Sequence, residues 1–155
     1  MRKWSAVAAV VAAAGVVASA ALAEGSDPTA RASFVGAIKV AGTKATLIVR
    51  YRCSQVTGAH LWISAKETKS GVSAAKLMKE GSSRSASAWW DSHRNRISCS
   101  GAFQSASFTI DKVEKGKKGT LSSGTAWVQF CITTGTTQAN TKLLLSHSDW
   151  VHVTS

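Results

Sequence analysis

Beyond residue 31, apolar and polar residues alternate with a period of two, and helical periodicity is scarce. Leu47, Val49, Tyr51 and Cys53 alternate with Thr46, Ile48, Arg50 and Arg52, so the first set faces a core and the second faces outward. The same pattern predicts strands over Ser33–Val40, Ala45–Cys53, His60–Glu67, Phe103–Asp111, Thr125–Thr133 and Thr141–Val153, the last bent near His147. Clusters of Gly, Ser, Thr and Lys at 41–44, 54–58, 115–119 and 134–140 supply the turns. About seven short strands at that spacing predict an all-β antiparallel sandwich. Residues 68–96 are the exception: long, Ser-rich and weakly patterned, with a helical turn or two, or an irregular strand pair, over Ser73–Glu80.

Alternation also orients the chemistry. In the third strand Leu61, Ile63 and Ala65 point inward, which turns Trp62 outward with His60, Ser64 and Lys66. Ala126, Val128, Phe130 and Ile132 leave Trp127, Gln129 and Cys131 outside, and inward Leu143, Leu145, Val151 and Val153 leave Trp150 outside. Were these strands neighbours, as their counterparts are in immunoglobulin-like sandwiches, Trp62, Trp127 and Trp150 would form one flat indole platform, suited to sugar rings, bases or cations. Covering of this face by residues 68–96 or the N-terminal leader would instead make a second small core. The opposed directions of Cys53 and Cys131 favour a Cys53–Cys99 disulfide and leave Cys131 as a thiol able to link a covalent dimer.

The N-terminus changes the compartment. Arg2 and Lys3 precede an apolar run from Ala6 to Ala18, and Ala21 and Ala23 flank Leu22, the three-part pattern of an export signal cleaved after Ala23. Residues 24–31 then read as a flexible leader and 32–155 as the domain, with no membrane segment after cleavage. Two of the 19 basic residues lie in the signal, leaving 17 against 8 acids, a charge of +9 that favours acidic partners. Export also makes a disulfide expected.

The segment Tyr51-Arg52-Cys53, Trp62 nine residues on and Cys131 in a late strand resemble the pattern of immunoglobulin-like domains, although Gln129 stands where those domains carry a tyrosine two residues before the second Cys. The chain also resembles small secreted actinobacterial proteins of unknown function, through its Ala-rich signal, Tyr51-Arg52-Cys53, Cys99-Ser100-Gly101, Gly124-Thr125-Ala126 and the ending Trp150 to Val153. That resemblance implies a compact immunoglobulin-like β-sandwich outside the cell and carries no activity with it.

Little here points to catalysis. Asp91, Ser92 and His93 are adjacent on one stretch, which does not converge them as a hydrolase triad requires, and no Gly-x-Ser-x-Gly elbow exists. The acids Glu67, Glu80, Asp111 and Glu114 sit beside lysines as solvated pairs rather than flanking a glycosidase cleft. His147 and His152, five apart, face opposite ways, so no metal site is expected. Two features suit binding: the indole platform, and the run from Trp89 and Trp90 through Arg94 and Arg96, with Arg84 upstream, whose aromatics and arginines can hold an anionic polymer. Lys115, Lys117 and Lys118 read as a solvated hairpin tip. The reading is a secreted, non-enzymatic module without cofactor that contacts anionic or glycan polymers of the cell envelope. A protein-interaction module of inhibitor or adhesion type is the alternative, and an extracellular hydrolase the third.

Overall fold

The computed structural model describes residues 28–79, 83–111, 119–122, 124–135 and 140–155. The export signal, the first half of the leader, Glu80, Glu114 and the lysines at 115, 117 and 118 lie outside them. Among the described residues seven strands form, β1 (Arg31–Ala41), β2 (Lys44–Arg52), β3 (His60–Thr68), β4 (Ala86–Arg94), β5 (Gln104–Asp111), β6 (Gly124–Thr134) and β7 (Lys142–Thr154), with a short α-helix, α1 (Ala74–Met78), and a 3-10 turn at Ser83–Ser85. They make a single mixed sheet in the order β4-β3-β6-β7-β1-β2-β5. All neighbours pair antiparallel except β1 with β7, whose parallel contact is confined to Ile38↔Val153 and Lys39↔Thr154 and is reinforced by the Thr154 hydroxyl donating to the Ile38 carbonyl (3.2 Å). The expected purely antiparallel sandwich is therefore corrected to one curled, mixed sheet.

The curl brings the two edge strands together. Ser92 of β4 accepts a hydrogen bond at its Oγ from the Asp111 N–H of β5 (2.8 Å), and the Arg94 guanidinium lies 5.0 Å over the Phe108 ring. Inside the curl, Tyr51, Phe108 and Phe130 pack with centroids 5.3 to 5.8 Å apart. Leu47, Val49, Leu61, Ile63, Val128 and Ile132 complete the core. The alternation explains it: β2 buries every second residue from Ala45 to Tyr51 and exposes those between, with Arg52 partly buried at its end.

The seventh strand is not a second half of a bent C-terminal strand, because β7 runs unbroken. It is β4, from the stretch without a clear pattern, whose inward set of Ala88, Trp90 and Ser92 mixes small, aromatic and polar residues, while a bulge opposite Glu67 and Thr68 turns buried Ala86 to the outer face. A second correction concerns Leu143. A bulge between Ile132 and Thr133 pairs Leu145 with Ile132 but Leu143 with Thr133, so consecutive Leu144 and Leu145 are buried and Leu143 turns to the outer face. The disulfide joins Cys53 to Cys99, tying the end of β2 to the segment between β4 and β5.

His147 pairs with Phe130 and packs against Phe34, ring centroids 4.9 Å apart. Burial pushes its pKa below the ordinary 6.5, against a smaller opposing pull from Asp149. The unfolded chain then binds more protons than the folded one between the lowered value and 6.5. Stability from neutral His147 is thus complete above 6.5 and lost as pH falls through the folded value. On going from about pH 7 to about pH 5, the melting temperature of His147→Phe should gain on that of the wild type. A gap independent of pH would show that His147 does not titrate in the fold.

Candidate functional site

The outer face of β4-β3-β6-β7 carries the expected tryptophans, in two separate groups. Trp127 and Trp150 are cross-strand partners with rings 5.5 Å apart. Trp62 pairs with Cys131, four residues along β6 and so about 13 Å away. Between β3 and β4 the chain makes an excursion, closed by the Lys69 N–H donating to the Ser85 carbonyl (3.0 Å), that carries α1. Leu77 of α1 and Ala86 pack on Trp127, leaving it 9% exposed, with Trp89 and Trp150 half-buried around them. The continuous indole platform is thereby corrected: at this end Trp127 and Trp150 belong to a second small core, and of the three platform tryptophans Trp62 is left at the open end.

Beneath that core lies a feature invisible in alternation. Lys66, between Trp89 on β4 and Trp127 on β6, is fully buried. Its ammonium donates to Gln129 Oε1 (2.8 Å) and sits 4.9 Å from the Trp89 ring centroid, partners that offset the cost of removing a charge from water. Further buried polar atoms of this face, Ser64 Oγ, Trp89 Nε1 and Trp127 Nε1 among them, make no hydrogen bond among the described residues.

At the open end Trp62, Trp89, His93, Cys131, Thr133, Leu143 and Ser146 line a cleft of about 530 Å³. The Trp62 indole donates from Nε1 to Asp91 Oδ2 (3.4 Å) and faces His93 with centroids 6.4 Å apart, which holds its plane in place while the ring stays half-exposed. Cys131 is half-buried in the same cleft, its Sγ 3.6 Å from Ser146 Oγ. Leu143 reaches the cleft through the bulge, and Ser146 faces outward opposite Cys131.

The run from Trp89 to Arg96 does not act as one surface. Strand β4 turns Trp89, Asp91 and His93 outward, and Trp90, Ser92 and Arg94 inward. Trp90 is completely buried and donates from Nε1 to the Gly119 carbonyl (3.2 Å), so it is a core residue rather than a binding one. Arg94 is engaged with Phe108 on the opposite side of the sheet from Trp62, while Arg84 and Arg96 are exposed. Ser92 and His93, on opposite faces, do not converge.

An all-β domain with an aromatic-walled cleft on one outer face is the class this geometry defines. No protein-family model and no characterised protein matches the sequence. Among solved structures, the chain is similar to the crystal structure of the C-terminal domain of Wzt, over 84% of this chain and 81% of that one, with a TM-score of 0.44 and 15% identity.

Proposed function

We propose that this protein is a secreted, non-enzymatic binding module of immunoglobulin-like design that holds a saccharide ring of an envelope glycan against Trp62. The observation that carries the reading is the half-exposed Trp62 indole, fixed by Asp91 within a cleft whose other walls offer Thr133, Ser146 and His93. An indole face suits the C–H face of a sugar, and hydroxyl and imidazole groups beside it suit the sugar's own hydroxyls. The immunoglobulin-like reading is supported by strand order: β5-β2-β1 on one side of the parallel junction and β7-β6-β3-β4 on the other match the A-B-E and C-F-G groupings, with β4 as an added edge strand. Leaving the cell is supported by the signal pattern and by the Cys53–Cys99 disulfide.

Retention of the purified protein on insoluble polysaccharides tests this. Wild type should be held with little dependence on salt, and Trp62→Ala should lose at least tenfold in retention while melting as the wild type does. Retention unchanged by Trp62→Ala, or passage of the wild type through every matrix, would end the glycan reading. A protein-interaction module is the second reading, favoured by Val35 and Ile48, cross-strand neighbours on the other outer face that are 46% and 47% exposed.

A further inference from the structure

The opposite outer face, that of β1-β2-β5, gathers charge that the cleft lacks. Arg31 and Arg52 stand directly across from one another in the β1/β2 register, and Arg50 follows two residues along β2 on the same face. Like charges placed opposite on neighbouring strands cost stability. Arg31 is held in place, its Nη1 donating to the carbonyls of Pro28 and Ala30 (both 2.7 Å). Arg50 lies 4.6 Å over the ring of Phe103, itself half exposed. Arg52 Nε is buried without a hydrogen-bond acceptor. Among the described residues none of the three is held in an ion pair, and Asp111 stands at the far end of the face, across from Lys44.

We infer that this arginine cluster is a second binding site, for the phosphates of a linear polyol-phosphate polymer. A phosphate between Arg31 and Arg52 would relieve their repulsion, and guanidinium groups take phosphate oxygens in paired hydrogen bonds. One face of Phe103 already carries Arg50, which suits a chain of phosphates better than a nucleic acid whose bases need open rings to stack upon. Ser33 and Ser105 flank Arg50 across the two neighbouring strands, and Ser107, Thr46 and Thr109 continue the uncharged face past the exposed Val35 and Ile48, room for the polyol. The site is separate from the Trp62 cleft, and neither depends on the other.

Binding of poly(glycerol phosphate) to the purified protein, followed by calorimetry across a salt series, tests the inference. Wild-type affinity should fall steeply with salt. Arg50→Gln with Arg52→Gln should lower the slope of log K against log salt by about 1.4, two contacts at roughly 0.7 each, and weaken low-salt binding roughly tenfold or more. Exposed Arg50→Gln alone should show half of that slope change, which keeps the test open if the double variant does not fold. Arg84→Gln with Arg96→Gln, the same charge removed elsewhere, should stay within about twofold of wild type. Absence of wild-type binding, or equal loss in the Arg84/Arg96 variant, overturns the site. Single-stranded DNA of matched phosphate number binding as tightly overturns the assignment to a polyol phosphate.

Discussion

Replacing Cys53 and Cys99 together by alanine should lower the unfolding free energy by about 4 kcal/mol, because the bridge closes a loop spanning 46 residues of sequence. That is a large part of the stability of an ordinary domain. It corresponds to a fall in melting temperature on the order of 10 to 20 °C. The location adds to the loop entropy. Cys53 is fully buried at the end of β2, and backbone hydrogen bonds from Val56 to Cys99 (3.2 Å), from Gly101 to Cys53 (3.0 Å) and from Ile97 to Ala59 (3.0 Å) lace the two linked segments together. Urea unfolding should show a lower midpoint and a steeper slope, since the unlinked denatured chain exposes more surface. Cys131→Ala, whose thiol is half-buried beside Ser146, should shift stability by less than about 1 kcal/mol. Equal losses in the two variants would mean that the bridge contributes no more than an ordinary side-chain contact.

The pairing of those cysteines was legible because alternation runs undisturbed through β2 and through β6 as far as Ile132. Side-chain direction could be counted from either end. The same counting failed at Leu143, one bulge later, where a single extra residue reversed the face. It failed also for β4, whose inward Ala88, Trp90 and Ser92 carry too little consistent hydrophobicity to mark a strand and whose bulge sends Ala86 to the other face. The candidate site was half legible. Outward Trp62 follows from local periodicity, but the covering of Trp127 by Leu77 depends on an excursion folding back across the sheet, a contact between distant residues that no short window contains. Lys66 reads as solvent-facing for the same reason, and only packing shows it buried against Trp89 and Gln129. Arg50 and Arg52 were placed outward by alternation, whereas their meeting with Arg31 and Phe103 is a matter of register and tertiary approach.

Trp90→Ala should cost about 3 to 5 kcal/mol, in contrast to a near-neutral Trp62→Ala. The difference between two tryptophans of adjoining strands comes from which way each faces. Trp90 is fully enclosed among core residues, and its indole N–H also reaches across to the Gly119 carbonyl. Gly119 comes so close to β4 that a Cβ there would overlap the Ser87 carbonyl oxygen and lie 2.8 Å from the Ala88 Cα, and its φ of 69° lies in the region other residues avoid. The indole thus fills the core and at the same time fastens the chain that follows β5 against β4, beside the edge where Ser92 meets Asp111. Trp90→Phe should keep most of the apolar burial and lose the hydrogen bond, for a cost of about 1 to 3 kcal/mol. Chemical denaturation gives these values, and polysaccharide retention, normalised to the folded fraction, should be unchanged in both variants. A Trp90→Ala protein within about 1 kcal/mol of wild type would mean that the curled sheet closes without this ring. Loss of retention in a fully folded Trp90→Phe protein would extend the recognition surface through the sheet to its inner face, against the division of labour drawn between Trp90 and Trp62.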